Sequence, residues 1–344
     1  MIYRPATPAD GPEMLRLIES HPSGGEIKII CTRRPDAYRS YQMECANAET
    51  GLCVDDDGRI LAQFACLPRN MYIDREICTV GYITGLHKAD GTQANILKLL
   101  ETGYVRSSTK QFICSFLDDN QPVFDMFAKR GLIHPVCDYT TYLYNPMAIK
   151  PVRHEFAFRR ATPDDTEALL RFYNEVGSGY SYFPVISSME DFAGLTVSDF
   201  FILEGKDDII AAGALWNQKA YKQYIVIEYK GAYKIAALCN PFLRALCYPP
   251  LPKINKAAHF AYISFLLCRE NDPSLERIML GEISVAAGNY SFLIIGTAKG
   301  TALGQHLDSV KKIKFGSKLC AIDINRKGVV ENFKMPLRFE CALL

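Results

Sequence analysis

Half of residues 3–16 return at 158–171: Arg4, Ala6, Thr7, Pro8, Asp10, Leu15 and Arg16 each meet an identical residue, seven matches in fourteen aligned positions. A chain that repeats a strand, a cap and a helix start in that order repeats the unit they open. Thr7 and Thr162 stand at capping positions, Pro8 and Pro163 suit the first helical position, and Met14, Leu15, Leu17 and Ile18 or Ala168, Leu169 and Leu170 supply the buried face behind them. The length of 344 residues exceeds what one core usually holds. The expectation is therefore a duplication into units over residues 1–150 and 151–344.

Each half then continues with a similar series. In the first, a helical segment near Pro35 to Asn47 precedes strand Gly51 to Val54, a turn at Asp55-Asp56-Asp57-Gly58 and strand Arg59 to Leu67. In the second, Met189 to Gly194 precedes strand Asp199 to Leu203, a turn at Gly205-Lys206-Asp207-Asp208 and strand Ile209 to Trp216. The second half alone carries an insertion, Gly231 to Lys256. Its Ile235, Leu238, Phe242, Leu243 and Leu246 predict a helix with a buried apolar face bordering the cleft between the halves.

With 39 basic against 38 acidic side chains, a net charge of +1 argues against nucleic acid or an anionic membrane as a general partner, leaving room only for a local basic site. The longest apolar run, Ala257 to Cys268, is too short to span a bilayer, and the opening Met1-Ile2-Tyr3-Arg4-Pro5 has no signal-peptide core. None of the 12 cysteines forms a Cys-x-x-Cys pair, and most sit in apolar runs, which reads as buried free thiols in a reducing cytoplasm. The six histidines lack metal-ligand spacing, so no metal site is expected.

The stretch most suggestive of a binding site is Val80 to Leu100. It is strand-like to Leu86, and after Gly91 its apolar residues Ile96, Leu99 and Leu100 fall at helical spacing. A strand that passes through a short glycine-containing loop into a helix leaves the first helical amides free to hold an anion. The same arrangement is also an ordinary connection capped by Asp90.

In order and in motif, these elements resemble the GNAT superfamily of acyl-coenzyme A-dependent N-acyltransferases, here in tandem and over nearly the whole chain. The residues that carry the resemblance are the Arg-x-Ala-Thr-x-x-Asp opening, the Asp-Asp-Gly hairpin, the strand-loop-helix from Val80 to Leu100, and Ser115 to Leu132 with its strand, Asn120, helix and Gly131-Leu132 ending. The resemblance implies two tandem α/β units, each a mixed, mainly antiparallel sheet flanked by helices. The cosubstrate would be acetyl-CoA or another acyl-CoA, and the acceptor an amine of a small molecule or peptide. It places the pyrophosphate on Leu86, Gly91, Thr92, Gln93, Ala94 and Asn95, with Asn120 also contacting the coenzyme. The sequence departs from the family pattern in lacking the usual loop glycines. The family's leaving-group tyrosine is replaced by Phe127, so Tyr139 and Tyr142 on the next strand are the substitutes in type, and His87 is the candidate base. In the second half Pro273, Glu270 and Asp272 disfavour an anion, which leaves the first half as the better coenzyme site. The alternative functions are a degenerate tandem that binds a ligand or partner without transfer, and a relative of aminoacyl-tRNA-dependent transferases.

Overall fold

The computed structural model describes residues 1–109, 111–206, 208–324 and 332–344; Asp207 of the expected second turn lies outside the described residues. The first half runs β1 (Ile2–Pro5), α1 (Gly11–Glu19), β2 (Ile27–Thr32), α2 (Ala37–Glu44), β3 (Glu49–Val54), β4 (Ile60–Ile73), β5 (Glu76–Lys88), α3 (Ile96–Arg106), β6 (Gln111–Leu117), α4 (Gln121–Ala128) and β7 (Ile133–Tyr144). The second runs β8 (Ala157–Arg160), α5 (Thr166–Gly177), β9 (Phe183–Pro184), β10 (Phe200–Glu204), β11 (Ile209–Trp216), β12 (Gln223–Tyr229), α6 (Gly231–Leu238), α7 (Asn240–Ala245), β13 (Phe260–Cys268), α8 (Pro273–Ala286), β14 (Phe292–Ala298), α9 (Ala302–Asp308) and β15 (Lys312–Ile322).

The repeated opening has the same geometry twice. Arg4 grips Asp10 through two hydrogen bonds of 2.8 and 2.7 Å, and Arg159 grips Asp165 through two of 2.7 Å. In both copies the aspartate also accepts from the capping threonine's backbone N–H and hydroxyl. The matched arginine, threonine and aspartate are thus the residues that tie the first strand to the first helix.

One mixed sheet joins the halves in the order β1-β3-β4-β5-β6-β15-β7-β14-β13-β11-β10-β8. Read from either end, it presents equivalent strands in the same sequence: β1 with β8, β3 with β10, β4 with β11, β5 with β13, β6 with β14. At the centre the halves exchange their last strands. β15 pairs with β6 from Leu117 to Phe112, β7 pairs with β14 from Tyr144 to Tyr139, and β7 and β15 pair with each other along most of their length. Both β5 and β6, and β13 and β14, run parallel through a helical crossover, as expected of a helix-linked strand pair.

One face of the sheet is covered by α1, α2, α5 and the C-terminal segment over a core shared by both halves, with Met14, Tyr41, Leu67, Phe172, Phe200 and Phe265 in it. On the other face α3 and α4 bury Phe64, Leu99 and Phe127 against the first half, and α8 and α9 bury Met279 and Leu303 against the second. A separate antiparallel pair, β2 with β12, links the halves again and carries the insertion.

The insertion corrects one expectation. It forms α6 and α7 and packs where β2 and β12 meet, but only Leu243 of the expected apolar set turns inward, beside Tyr233, Ala236 and Ala237. Ile235, Leu238, Phe242 and Leu246 point to solvent. The small platform of Val226, Tyr229 and Leu251 offers room for only one narrow apolar stripe, and the alanines occupy it.

Candidate functional site

Parallel strands linked by helices bring two helix N-termini to the same edge of a sheet. Here β5 leads through residues 89–95 into α3, and β6 leads through 118–120 into α4. The two strands pair only from Val80–Gln111 to Ile83–Cys114 and then part. Beyond that point β5 follows β4, with Gln63 opposite His87, and β6 follows β15, with Leu117 opposite Ser317. The opening between them is bordered by Thr84, Gly85, Leu86 and His87 on one side and Ser115 and Phe116 on the other, all only partly buried.

Gly85 sits at an irregularity of β5 with φ +60, and the hydroxyl of Tyr41 occupies the place a Cβ would take. Glycine meets both demands at this position. Tyr41 is buried, lies under the Arg33 guanidinium at 3.8 Å from the ring centre, and makes no hydrogen bond through its hydroxyl among the described residues. Gln63 is fully buried, and both its amide atoms are likewise without a partner among the described residues. His87 shares this face. Burial first, and then the neighbouring His21 and Arg33 charges, lower its pKa to about 4, so its imidazole is neutral at pH 7. The His21 ring stands 6.0 Å away. Unpartnered buried polar groups are costly in a folded protein, and Tyr41 and Gln63 place theirs beside the parted strands.

The second half has the same parting, but it is filled. β13 and β14 pair only from Phe260–Phe292 to Tyr262–Ile294. Phe265 occupies the position equivalent to Gly85, with φ 52. Its N–H donates to the Glu340 carboxylate, Arg338 donates to the Leu266 carbonyl, and the Glu340 carboxylate also accepts from the Ala342 N–H at 3.1 Å. Tyr139 donates to the Phe339 carbonyl at 3.3 Å, and Gln218 to that of Ala342 at 2.8 Å. Residues 338–343 therefore occupy the second opening, and every residue of β13 is buried. Burial raises the Glu340 pKa to about 7.

No protein-family model matches the sequence, and no curated protein matches it. Solved structures do. Saccharomyces cerevisiae N-myristoyltransferase with bound myristoyl-CoA is similar over 93% of this chain and 82% of its own, with a TM-score of 0.60 at 9% identity. A GCN5-related N-acetyltransferase from Anabaena variabilis is similar over 94% and 73%, with a TM-score of 0.57 at 9% identity. An Enterococcus faecalis protein described as a probable N-acyltransferase is similar over 93% and 72%, with a TM-score of 0.53 at 9% identity. This chain has a GNAT-like fold.

Within the GNAT fold, the structure gathers some of the sequence-predicted site residues and separates others. Leu86 lies on β5 beyond its pairing with β6, Asn120 stands at the start of α4 just after β6, and the 91–95 loop is held toward β1 through Tyr3. Gly91 is exposed with φ +70, and Thr92 donates its hydroxyl to the Ala89 carbonyl at 2.9 Å. Gln93 is exposed. The Asn95 side chain caps α3 by accepting from the Lys98 N–H at 3.2 Å, while its own N–H donates to the Tyr3 hydroxyl at 3.1 Å. Ala94 is buried, with its methyl in the core beneath α3. His87 stands at the same opening, on the face toward α1.

Tyr139 and Tyr142 are elsewhere. The strand exchange carries β7 beside β14, so Tyr139 is buried against Phe339 and Tyr142 reaches the Gly304 carbonyl of α9 at 3.4 Å. Burial holds both phenols protonated, raising each above its ordinary pKa. Phe127, which the resemblance set at a tyrosine position, is buried against Phe116. Tyr41, Gln63, Gly85 and Glu340 were not singled out in the sequence. Their only local trace is Gly85, a glycine inside a strand. A cleft of about 280 Å³ lies under the C-terminal part of α3, lined by Phe64, Leu99, Gly103 and Arg106, at the other end of that helix from the 91–95 loop.

Proposed function

We propose that the protein is an N-acyltransferase that binds an acyl-CoA thioester in the first half, between β5 and β6, and transfers the acyl group to an amine. The observation that carries this reading is the contrast between the two openings: the first is bordered by the partly buried residues 84–87, 115 and 116, whereas the second is occupied by residues 338–343. In the second half an oxygen of Glu340 sits on the Phe265 amide. The pseudo-twofold relation gives the Gly85 amide the same direction into the first opening, where a thioester carbonyl oxygen would take it. An amide fixed there stabilises the negative charge that develops as the amine attacks.

In this reading the amine nitrogen bonds to the carbonyl carbon, the C–S bond breaks, and the coenzyme leaves as a thiolate that takes up a proton. The pyrophosphate rests on amides of the 91–94 loop, with Asn120 beside it. The acceptor enters beside His87, which is partly exposed. An imidazole with a pKa of about 4 is neutral but a weak base, so His87 accepts a hydrogen bond from the amine and passes the proton on toward solvent. Acetyl-CoA and longer acyl-CoA esters both fit the reaction class, and a small molecule or a peptide both fit the acceptor.

The Ala94 methyl is in the core, so a carboxylate there would test burial rather than phosphate repulsion. Gln93 is the position to change. Gln93→Glu is expected to weaken acetyl-CoA binding roughly tenfold, because a carboxylate then faces the pyrophosphate, while Ser274→Glu at the start of α8 leaves it unchanged. Calorimetric titration of both variants checks this. Loss confined to Ser274→Glu would move the site to the second half. No heat from the unmodified protein with acetyl-, octanoyl- or myristoyl-CoA would favour a binding protein without transferase activity.

A further inference from the structure

From Tyr229 to Arg269 the chain contains Lys230, Lys234, Arg244, Lys253, Lys256 and Arg269 and no aspartate or glutamate. The overall charge of +1 hides this segregation. The structure places on the same segment an outward apolar face: Ile235 is 68% exposed, Leu238 83%, Phe242 72% and Leu246 56%. Lys234, Arg244, Lys253 and Lys256 are exposed around them.

The segment is fastened from below. Asn240 clasps Leu251 through two hydrogen bonds of 2.7 Å, the Tyr229 hydroxyl donates to the Pro252 carbonyl at 2.8 Å, and Lys311 donates to the Leu246 carbonyl at 2.8 Å. The apolar side chains are thus held out on a fixed platform, and a contiguous apolar face of this kind marks a contact surface.

We infer that α6 and α7 form an interfacial membrane-docking surface. Its apolar face would enter the headgroup boundary of an anionic bilayer, and its lysines and arginine would meet the lipid charges. The nearby acids lie at the base: Glu228 is bracketed by Lys28 at 3.5 Å and Lys230 at 3.8 Å, Glu26 lies beside Gly231, and Asp308 is paired with Lys312 and Lys314. A second copy of the chain is disfavoured as the occupant, because a twofold contact through this face would set its basic residues against one another. No helix among the described residues is long and apolar enough to cross a membrane, and docking of this kind requires none.

Flotation of the full chain with phosphatidylcholine vesicles, with and without phosphatidylglycerol, tests the inference independently of any acyl transfer. The chain is expected to float with the anionic vesicles, less with the neutral ones, and less again as salt rises. Lys234→Glu should weaken binding at least fivefold, and Leu238→Glu combined with Phe242→Glu at least tenfold. Because all three positions are exposed, thermal unfolding of these variants should match the unmodified protein. Three outcomes would overturn the assignment: no flotation with either vesicle, equal flotation with both, or a concentration-dependent dimer in sedimentation that the double variant dissolves.

Discussion

Glu44→Ala is expected to lower the free energy of unfolding by roughly 3–5 kcal/mol, because it strands two buried cations. Glu44 on α2 accepts from Arg33 at 2.7 Å and from Lys222 at 3.3 Å, and the three side chains are only 1%, 5% and 4% exposed. Burial alone would push the Glu44 carboxyl up, yet Lys222 and Arg33 hold it at about 2. Arg33 comes from the first half and Lys222 from the second, and Lys222 also donates to the Leu344 carbonyl at 3.1 Å. The cluster therefore ties the halves and the segment that fills the second opening. In a chain of this length the loss corresponds to a fall in Tm of about 5 °C. Denaturant titration checks it, together with a triple variant, Arg33→Met, Glu44→Leu and Lys222→Met, that removes these three charges. The triple variant should recover most of the loss. A single-variant effect below about 1 kcal/mol, in the range of an exposed pair, would mean that the site is hydrated and the account wrong.

The second large effect is on the pH dependence of stability. Glu340 is raised from 4.5 to about 7, chiefly by burial, so the folded state holds its proton more tightly than the unfolded chain. Its contribution is complete below about pH 4.5 and is lost as pH rises through about 7, a span of about 3 kcal/mol. His87 acts in the opposite sense: lowered from 6.5 to about 4, it contributes above pH 6.5 and its contribution is lost as pH falls toward 4. Melting temperature followed across this range should show both limbs. Glu340→Gln flattens the alkaline limb and leaves the acid limb, and His87→Gln softens the acid limb. An unchanged alkaline limb in Glu340→Gln would show that the carboxyl is ionised throughout, and that residues 338–343 hold their place without it.

Much of the local structure was legible because it rests on short-range physics. The Arg-x-Ala-Thr-Pro-x-Asp opening encodes its own strand, cap and ion pair within seven residues, and the structure repeats it at Arg4 and Arg159. The change of period between Leu86 and Ile96 marked the passage from β5 to α3, and with it the 91–95 loop and Asn120 at the strand ends. The buried set of α6 and α7 was misjudged, since a helix with apolar residues on more than one side does not say which side finds a platform. The alanines lie against β2 and β12, and the larger side chains remain outside.

What the sequence alone determined is the duplication and the order of strands and helices, both consequences of contacts between residues near in sequence. Only the tertiary structure decided that the halves exchange β7 and β15, which sends Tyr139 and Tyr142 to the second half. It alone brought Tyr41 against Gly85, and set Glu340 on the Phe265 amide, which closes one opening and leaves the other. These pairings join residues from distant parts of the chain. Their stability comes from burial and from satisfying amides that no local element can reach, so no short stretch of sequence records them.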